Sequence, residues 1–203
     1  MLTLSQYGVT LKRLELDDIE EVRKWRNLHY IQNKMQYKED ISSEMQLIWF
    51  NSINNNLNYY FIIINEKGKR VGLINSKDVD LKQKNGEGGI FISDRDVWNT
   101  VTPAVASIIL LNFSICCLQL FDRSLITIIK SNTSAINYNK KLGYSVVDEG
   151  DSVVRMELTK GSYLHSVKAY SKILDKLYPN NKELMISGSV SVINIEEIND
   201  LLI

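Results

Sequence analysis

Apolar positions along this chain switch between a spacing of two and a spacing of three to four. Val9 to Leu14 reads as an opening strand, and the polar step Leu16-Asp17-Asp18-Ile19-Glu20 follows it. Asp17 as N-cap with Glu20 at the capping-box position predicts a helix carrying Ile19, Val22 and Trp25 on one face. A second helix is predicted from Ser42 or Ser43, with Met45, Ile48, Trp49 and Ile53 aligned, and Asn54 to Asn58 ends it. The pattern then turns to strands: Tyr59 to Ile64, a turn at Glu66-Lys67-Gly68-Lys69, a strand opening at Val71 to Ile74, and a second turn from Lys82 to Gly86. Gly89 to Ser93 is a fourth strand, and a helix rather than a turn follows it.

Thr102-Pro103 marks that helix start, with a hydroxyl at the N-cap and proline at the first helical position. The helix runs to about Gln119. Leu125 to Ile129 is a short apolar run rich in β-branched residues, which predicts a strand buried on both faces. Ser131 to Leu142 is helical and stops at Gly143, and Tyr144–Val147 with Val153–Leu158 form a closing hairpin. The element order implies a mixed α/β sheet with a parallel pair at its centre, flanked by helices, over residues 1–159. From Lys160 the character changes. Tyr163 to Tyr178 is an amphipathic helix with a stripe of Tyr163, Leu164, Val167, Tyr170, Ile173, Leu174, Leu177 and Tyr178. Pro179-Asn180-Asn181 breaks it, Ser189 to Ile193 alternates like a strand, and Ile195 to Leu202 reads as a last helix. This 160–203 extension is expected to pack on the core or on a partner subunit, which would make the protein a homodimer.

Composition narrows the field. The 203 residues are 44% hydrophobic and 24% charged with only two prolines, which excludes a disordered or collagen-like chain. Twenty-four basic residues balance 24 acidic ones, and that balance disfavours a nucleic-acid or anionic-membrane binder. Cys116 and Cys117 are neighbours in an apolar run and read as core thiols of a reducing compartment. The start, Met-Leu-Thr-Leu-Ser-Gln-Tyr, lacks the basic flank and apolar stretch of a secretory signal. Val105 to Phe121 is interrupted by Ser107, Asn112, Ser114 and Gln119, so it reads as a buried helix rather than a membrane span. A cytoplasmic location is expected. No His/Cys/Asp cluster has metal-ligand spacing, and His29 and His165, the only histidines, read as ordinary side chains.

Two segments carry a resemblance. Ser131-Asn132-Thr133-Ser134-Ala135-Ile136-Asn137-Tyr138-Asn139-Lys140-Lys141-Leu142-Gly143-Tyr144 resembles the asparagine, small-residue pair, apolar helix face and Lys-Leu-Gly-Phe run of the GNAT acetyltransferase superfamily. Trp25-Arg26-Asn27, followed by Ile41 and Trp49-Phe50, is similar to the branch that acetylates amino groups on nucleotide-linked sugars, a branch related to ribosomal-protein acetyltransferases. The resemblance spans roughly residues 8 to 159. It implies an N-acetyltransferase that uses acetyl-CoA as co-substrate, with no metal, and a small-molecule amine as acceptor.

It also implies a site. The pantetheine arm of acetyl-CoA would add to the open edge of the strand carrying Phe91, Ile92 and Ser93. Its diphosphate would sit on the loop of Asn99, Thr100, Val101, Thr102 and Ala104 at the helix N-terminus. The family pattern places Gln or Arg and then glycines in this loop; here Trp98, Val101 and Pro103 stand there instead, leaving the Thr100 and Thr102 hydroxyls and the Asn99 amide as substitute donors. An N–H near Phe91 or Ile92 would polarise the thioester carbonyl. Glu87 matches a carboxylate position that accepts the amine proton; the alternative is a solvated edge residue between Gly86 and Gly88. Tyr138 is the candidate general acid, although the family tyrosine falls one place later, on Asn139, which would turn Tyr138 to the core as a packing aromatic. Asn132 is an N-cap that also reaches pantetheine amides, and Trp25, Arg26 and Asn27 would line the acceptor site. The rival acceptors are a protein N-terminus or a polyamine. The rival class is a GNAT-fold module that has lost catalysis and serves in binding or assembly.

Overall fold

The computed structural model describes residues 1–188. Within these residues one mixed sheet of nine strands forms the centre: β1 (Thr3–Gln6), β2 (Val9–Arg13), β3 (Tyr59–Ile64), β4 (Arg70–Asp80), β5 (Asn85–Ile92), β6 (Arg123–Ile129), β7 (Ser145–Glu149), β8 (Val153–Thr159) and β9 (Met185–Ser187). Their spatial order is β7-β8-β6-β5-β4-β3-β2-β1-β9, and β5 with β6 is the parallel pair. Among the described residues six α-helices flank it: α1 (Ile19–Arg26), α2 (His29–Gln32), α3 (Ser43–Ile53), α4 (Thr102–Leu111), α5 (Thr133–Leu142) and α6 (Lys160–Leu177).

The sheet separates two cores. On one face lies α4, whose residues from Thr102 to Leu111 are buried apart from Ala104. A helix apolar all round needs cover on every side. The sheet supplies one side, and α6 supplies another through Tyr163, whose hydroxyl donates to Ile108 O or Asn112 Oδ1 at 3.2 and 2.6 Å. The chain leaves α4 through a widened π turn over Asn112–Cys117. On the opposite face, α1 and α3 cover a smaller core of Leu14, Ile19, Val22, Phe50, Tyr60, Ile62 and Leu73. β3, central between the two cores, is the strand buried on both faces.

Several expectations need correction. The predicted N-cap at Asp17 moves upstream: a short 3-10 turn over Leu16–Asp18 precedes α1, and its capping box joins Glu15 to Asp18. Asp18 is spent elsewhere as well, because it is 2% exposed and accepts from Lys12 Nζ (2.9 Å), Arg70 Nη2 (2.6 Å) and the Glu15 N–H (3.0 Å). β1 was not foreseen; it is joined to β2 by a two-residue turn in which Tyr7 and Gly8 both take positive φ, the geometry that suits the strand twist. β6 is not buried on both faces. Ser124, Ile126 and Ile128 face inward, and the residues between them are only partly covered. Thr102 is the first helical residue of α4 rather than its cap. Cys116 and Cys117 are exposed free thiols, because the π turn carries them past the core. Of the α6 stripe, Tyr163 and Leu174 are buried and Val167, Tyr170 and Tyr178 pack beside the core, but Leu164, Ile173 and Leu177 stay exposed. The strand expected over 189–193 and the helix over 195–202 lie outside the described residues. Among the described residues, no helix is long and apolar enough to cross a membrane.

The Asp18 cluster yields a stability prediction. Burial alone would raise its pKa, but the hydrogen bonds from Lys12, Glu15 N–H and Arg70 outweigh that and hold the carboxyl below its usual range. A depressed folded-state pKa means the stabilisation is complete above the ordinary carboxylate range and is lost as the pH falls through and below about 4. Asp18→Ala leaves Lys12 and Arg70 without their shared anion and should cost about 3 kcal/mol in urea unfolding at neutral pH. Asp18→Asn should flatten the acid limb of the stability profile. An Asp18→Ala variant as stable as the parent would remove this anchor from the account.

Candidate functional site

The parallel pair holds for three residues only: Asn85 with Arg123, Gly86 with Ser124 and Glu87 with Leu125. Beyond that point β5 continues against β4 to Ile92, and β6 continues against β8 to Ile129, so the two strands part. Tyr144 stands at the junction. It is buried, its hydroxyl lies 2.8 Å from Ser124 Oγ, and a Cβ on Gly88 would come within 3.3 Å of its phenol oxygen. Glycine at 88 thus admits the group that occupies the angle between the strands.

Strand geometry shows which amides face the opening. Ser93 N–H donates to Val71 O at 2.8 Å, and hydrogen-bonded pairs alternate along an antiparallel ladder. Phe91 and Gly89 therefore turn their N–H groups to β4, whereas those of Ile90 and Ile92 turn to the gap. Trp98 Nε1–H donates to Ile92 O at 3.1 Å, and the Tyr30 hydroxyl donates to Ser93 O. The Arg95 guanidinium lies 5.5 Å from the Tyr30 ring and 5.4 Å from the Trp98 ring. Two aromatics, both lining the opening, thus close off the far end of β5.

The gap opens into a cavity of about 880 Å³ that runs through to the smaller core. Its lining includes Glu87, Phe91, Ile92, Asn99, Asn132, Tyr138 and Asn139, together with Arg26. Trp25 and Asn27 do not line it. Trp25 packs edge-on to Phe91 at 6.4 Å, and Asn27 uses its amide to hold the backbone of Ile41 from both sides, at 3.0 and 2.9 Å. Ser93, Thr100, Val101, Thr102 and Ala104 also lie outside the lining. Thr100 Oγ1 donates to Val97 O (2.9 Å) and accepts from Thr102 N–H (3.3 Å), and Thr102 is buried. The Thr100 hydroxyl is therefore engaged in building the loop, and Thr102 is enclosed.

On α5, Asn132 Oδ1 accepts from Ala135 N–H at 3.4 Å as the N-cap, and Asn139 Nδ2 donates to Ala135 O at 2.9 Å. The Tyr138 hydroxyl donates to Pro103 O at 2.8 Å and lies 2.7 Å from Ser107 Oγ. Burial pushes its pKa well above the ordinary phenol value, with the Ser107 hydrogen bond opposing only in part.

Tyr60, Gln46, Trp49, Asn75 and Lys77 also line the cavity, and residue patterning alone did not select them. The signal lay in register. Tyr60 opposes Asn75, Asn75 opposes Gly89, and Lys77 opposes Glu87, so these positions share the sheet face beneath α1 and α3. Gly89 lacks the Cβ that would come within 2.7 Å of Asn75 Oδ1. Lys77 Nζ lies 3.1 Å from Glu87 and 2.9 Å from Asp78. Burial lowers the Lys77 pKa, but these two partners outweigh it and leave it raised. Burial pushes Tyr60 up to about 12, and its ring meets Trp49 edge-on at 5.2 Å. Among the described residues, no group of three His, Cys, Asp or Glu side chains could hold a metal ion.

No protein-family model and no curated protein matches the chain by sequence. Solved structures do match in shape. FdhC, described as a nucleotide-linked sugar GNAT, superposes with a TM-score of 0.71 at 20% identity, covering 85% of this chain and 98% of its own. Spermidine N-acetyltransferase from Vibrio cholerae, in complex with CoA and spermine, gives a TM-score of 0.68 at 18% identity over 77% of this chain and 98% of its own. A domain from Methanocaldococcus jannaschii gives 0.64 at 20% identity over 74% and 97%. The fold is that of the GNAT N-acetyltransferases.

The loop before α4 carries its own test. Thr100→Val removes both hydroxyl contacts and should destabilise the protein by about 1 kcal/mol. Unchanged thermal unfolding would mean that the hydroxyl does not build the loop.

Proposed function

We propose that the protein is an acetyl-CoA-dependent N-acetyltransferase acting on the primary amine of a small substrate, a nucleotide-linked amino sugar. The parting of β5 from β6 carries the reading. It leaves the Ile90 and Ile92 amides facing an open cleft, and an amide-bearing pantetheine arm adds to such an edge as a short extra strand. The CoA complex of the V. cholerae structural neighbour and the description of FdhC support the same direction. A polyamine fits less well: Glu87 is the one carboxylate in the lining among the described residues, and Lys77 already pairs with it.

In this scheme the neutral amine attacks the thioester carbonyl, a C–N bond forms, and the C–S bond breaks. The Ile92 or Ile90 N–H stabilises the developing oxyanion. Glu87, at the last paired position before the strands part, takes the proton from the amine directly or through water. The leaving thiolate takes up the proton that Glu87 received, directly or through water, so that amide and free CoA thiol are the products. Tyr138 is a poorer donor than its position suggests. Burial raises its pKa, which makes it a weaker proton donor, and its proton already serves Pro103 O. Its better role is to hold α5 against the first turn of α4.

Acetyl-CoA at ~100 times its dissociation constant should stabilise the fold by roughly 2.7 kcal/mol and slow hydrogen exchange at the Ile90 and Ile92 amides. Absence of any thermal shift at millimolar acetyl-CoA would favour the non-catalytic binding module, the reading suggested by the glycine-free loop. With turnover established, Glu87→Gln should lower kcat by about 10²-fold or more. Tyr138→Phe should keep kcat within about tenfold of the parent, and a loss of 10²–10⁴ would restore the phenol as general acid.

A further inference from the structure

The aromatic group at the far end of β5 does more than bound the cleft. Past Glu87 the parted edge of β5 offers two backbone acceptors, the carbonyls of Ile90 and Ile92, on the side away from β4. The Ile92 carbonyl is already taken, because Trp98 Nε1–H donates to it at 3.1 Å. Trp98 is not a core residue. It is 43% exposed and lines the cavity. The short turn that carries it is anchored by other groups: Val97 is buried, and Asp94 at the head of the turn accepts from Asp96 N–H and pairs with Lys69 at 2.7 Å. The indole can therefore swing about its own side-chain bonds while the backbone of the turn stays in place.

What holds the indole is weak and lies near the surface. Its ring meets Tyr30 edge-on at 5.7 Å, and the exposed Arg95 guanidinium lies beside both rings. A neutral hydrogen bond at a half-exposed site adds little net, since water can replace either partner. The indole N–H points at the carbonyl oxygen that an amide N–H of an added strand would use. A side-chain donor thus sits where an incoming amide must donate, and that side chain is free to leave.

We propose that Trp98 is a gate on the cofactor edge: its indole caps Ile92 O in the free protein and swings off when the amide-bearing arm of acetyl-CoA adds to β5. Cofactor binding is then weakened by the hydrogen bond that the arm must displace. This rests on the acetyltransferase reading above and goes beyond it, because it names the group that competes with the arm. Trp98→Phe keeps a ring but has no donor, so it should relieve the competition. Trp98→Ala should remove it.

The test uses the full chain. Binding of CoA, pantetheine and adenosine diphosphate is measured by calorimetry for the parent, Trp98→Phe and Trp98→Ala, and solvent exchange of the Trp98 indole proton is followed by NMR in the parent. In the free protein that proton should exchange roughly tenfold or more slowly than a free indole, and it should speed up when CoA is added. Trp98→Phe should bind CoA and pantetheine about three- to tenfold more tightly than the parent, the factor that one net hydrogen bond corresponds to. Trp98→Ala should bind them at least as tightly as Trp98→Phe. Adenosine diphosphate, which has no amide arm, should not distinguish the three proteins. Equal or weaker CoA binding in Trp98→Phe overturns the gate, as does an equal gain for adenosine diphosphate. An indole proton that exchanges as fast as a free indole before CoA is added, or that stays equally protected afterwards, overturns it too. Failure of CoA to bind any of the three refutes the acetyltransferase reading. Pantetheine then decides the gate by itself: a gain in Trp98→Phe upholds it, and no gain or no binding overturns it.

Discussion

Backbone pairing between β5 and β6 stops after three residues, and the functional geometry depends on that interruption. A sheet interior normally satisfies its N–H and C=O groups strand to strand, and unpaired groups there are costly unless water or a ligand meets them. Here Tyr144 and Ser124 fill the angle beside Gly88, which keeps the strands from closing again. The resulting edge is concave and flanked by α4 and α5, so it is far less accessible to another protein than an ordinary sheet edge. An edge of this shape suits a slender amide-bearing ligand.

The second constraint is electrostatic. Asp18 draws Lys12 from β2 and Arg70 from β4 onto one carboxylate at the start of α1. That fixes the helix to the sheet at its first turn, and Asn27 fixes the segment around Ile41 just past its last turn. With both ends held, α1 has little freedom to rotate, and Arg26 at its final position is directed into the cavity. At the two ends of this short helix, one carboxylate is satisfied by two cations and one guanidinium lines the cavity wall.

Much of the architecture was legible because local signals agreed with tertiary ones. Ser42 does cap α3, Asn132 and Gly143 do bound α5, and β3 and the β7–β8 hairpin fall close to where alternation put them. The errors share a cause: each required knowledge of a distant partner. Asp18 caps a turn and anchors a sheet at once. Cys116 and Cys117 sit in an apolar run, yet a π turn brings them to the surface. Within the candidate site, Glu87, Ile92 and Arg26 lie on the cavity. Trp25 and Asn27, their neighbours in a recognisable triplet, serve packing and backbone support. Spacing along a helix gives a residue's face, but not whether that face meets a core, a loop or a cavity. Tyr60, Asn75 and Lys77 could be found only through cross-strand register, which a single strand's pattern does not contain.

The hairpin of β1 and β2 turns at Tyr7 and Gly8, where Tyr7 reaches Asp175 through its hydroxyl and Asn181 through its N–H, and β9 covers the outer edge of β1. β1 is therefore completed by residues about 180 positions later. During synthesis β1 and β2 would emerge long before β9, leaving the outer edge of β1 open. Such long-range closure slows folding and exposes intermediates to aggregation. Until β9 arrives, the outer edge of β1 is open to pairing with another chain, so closing it is a long-range step rather than a local one.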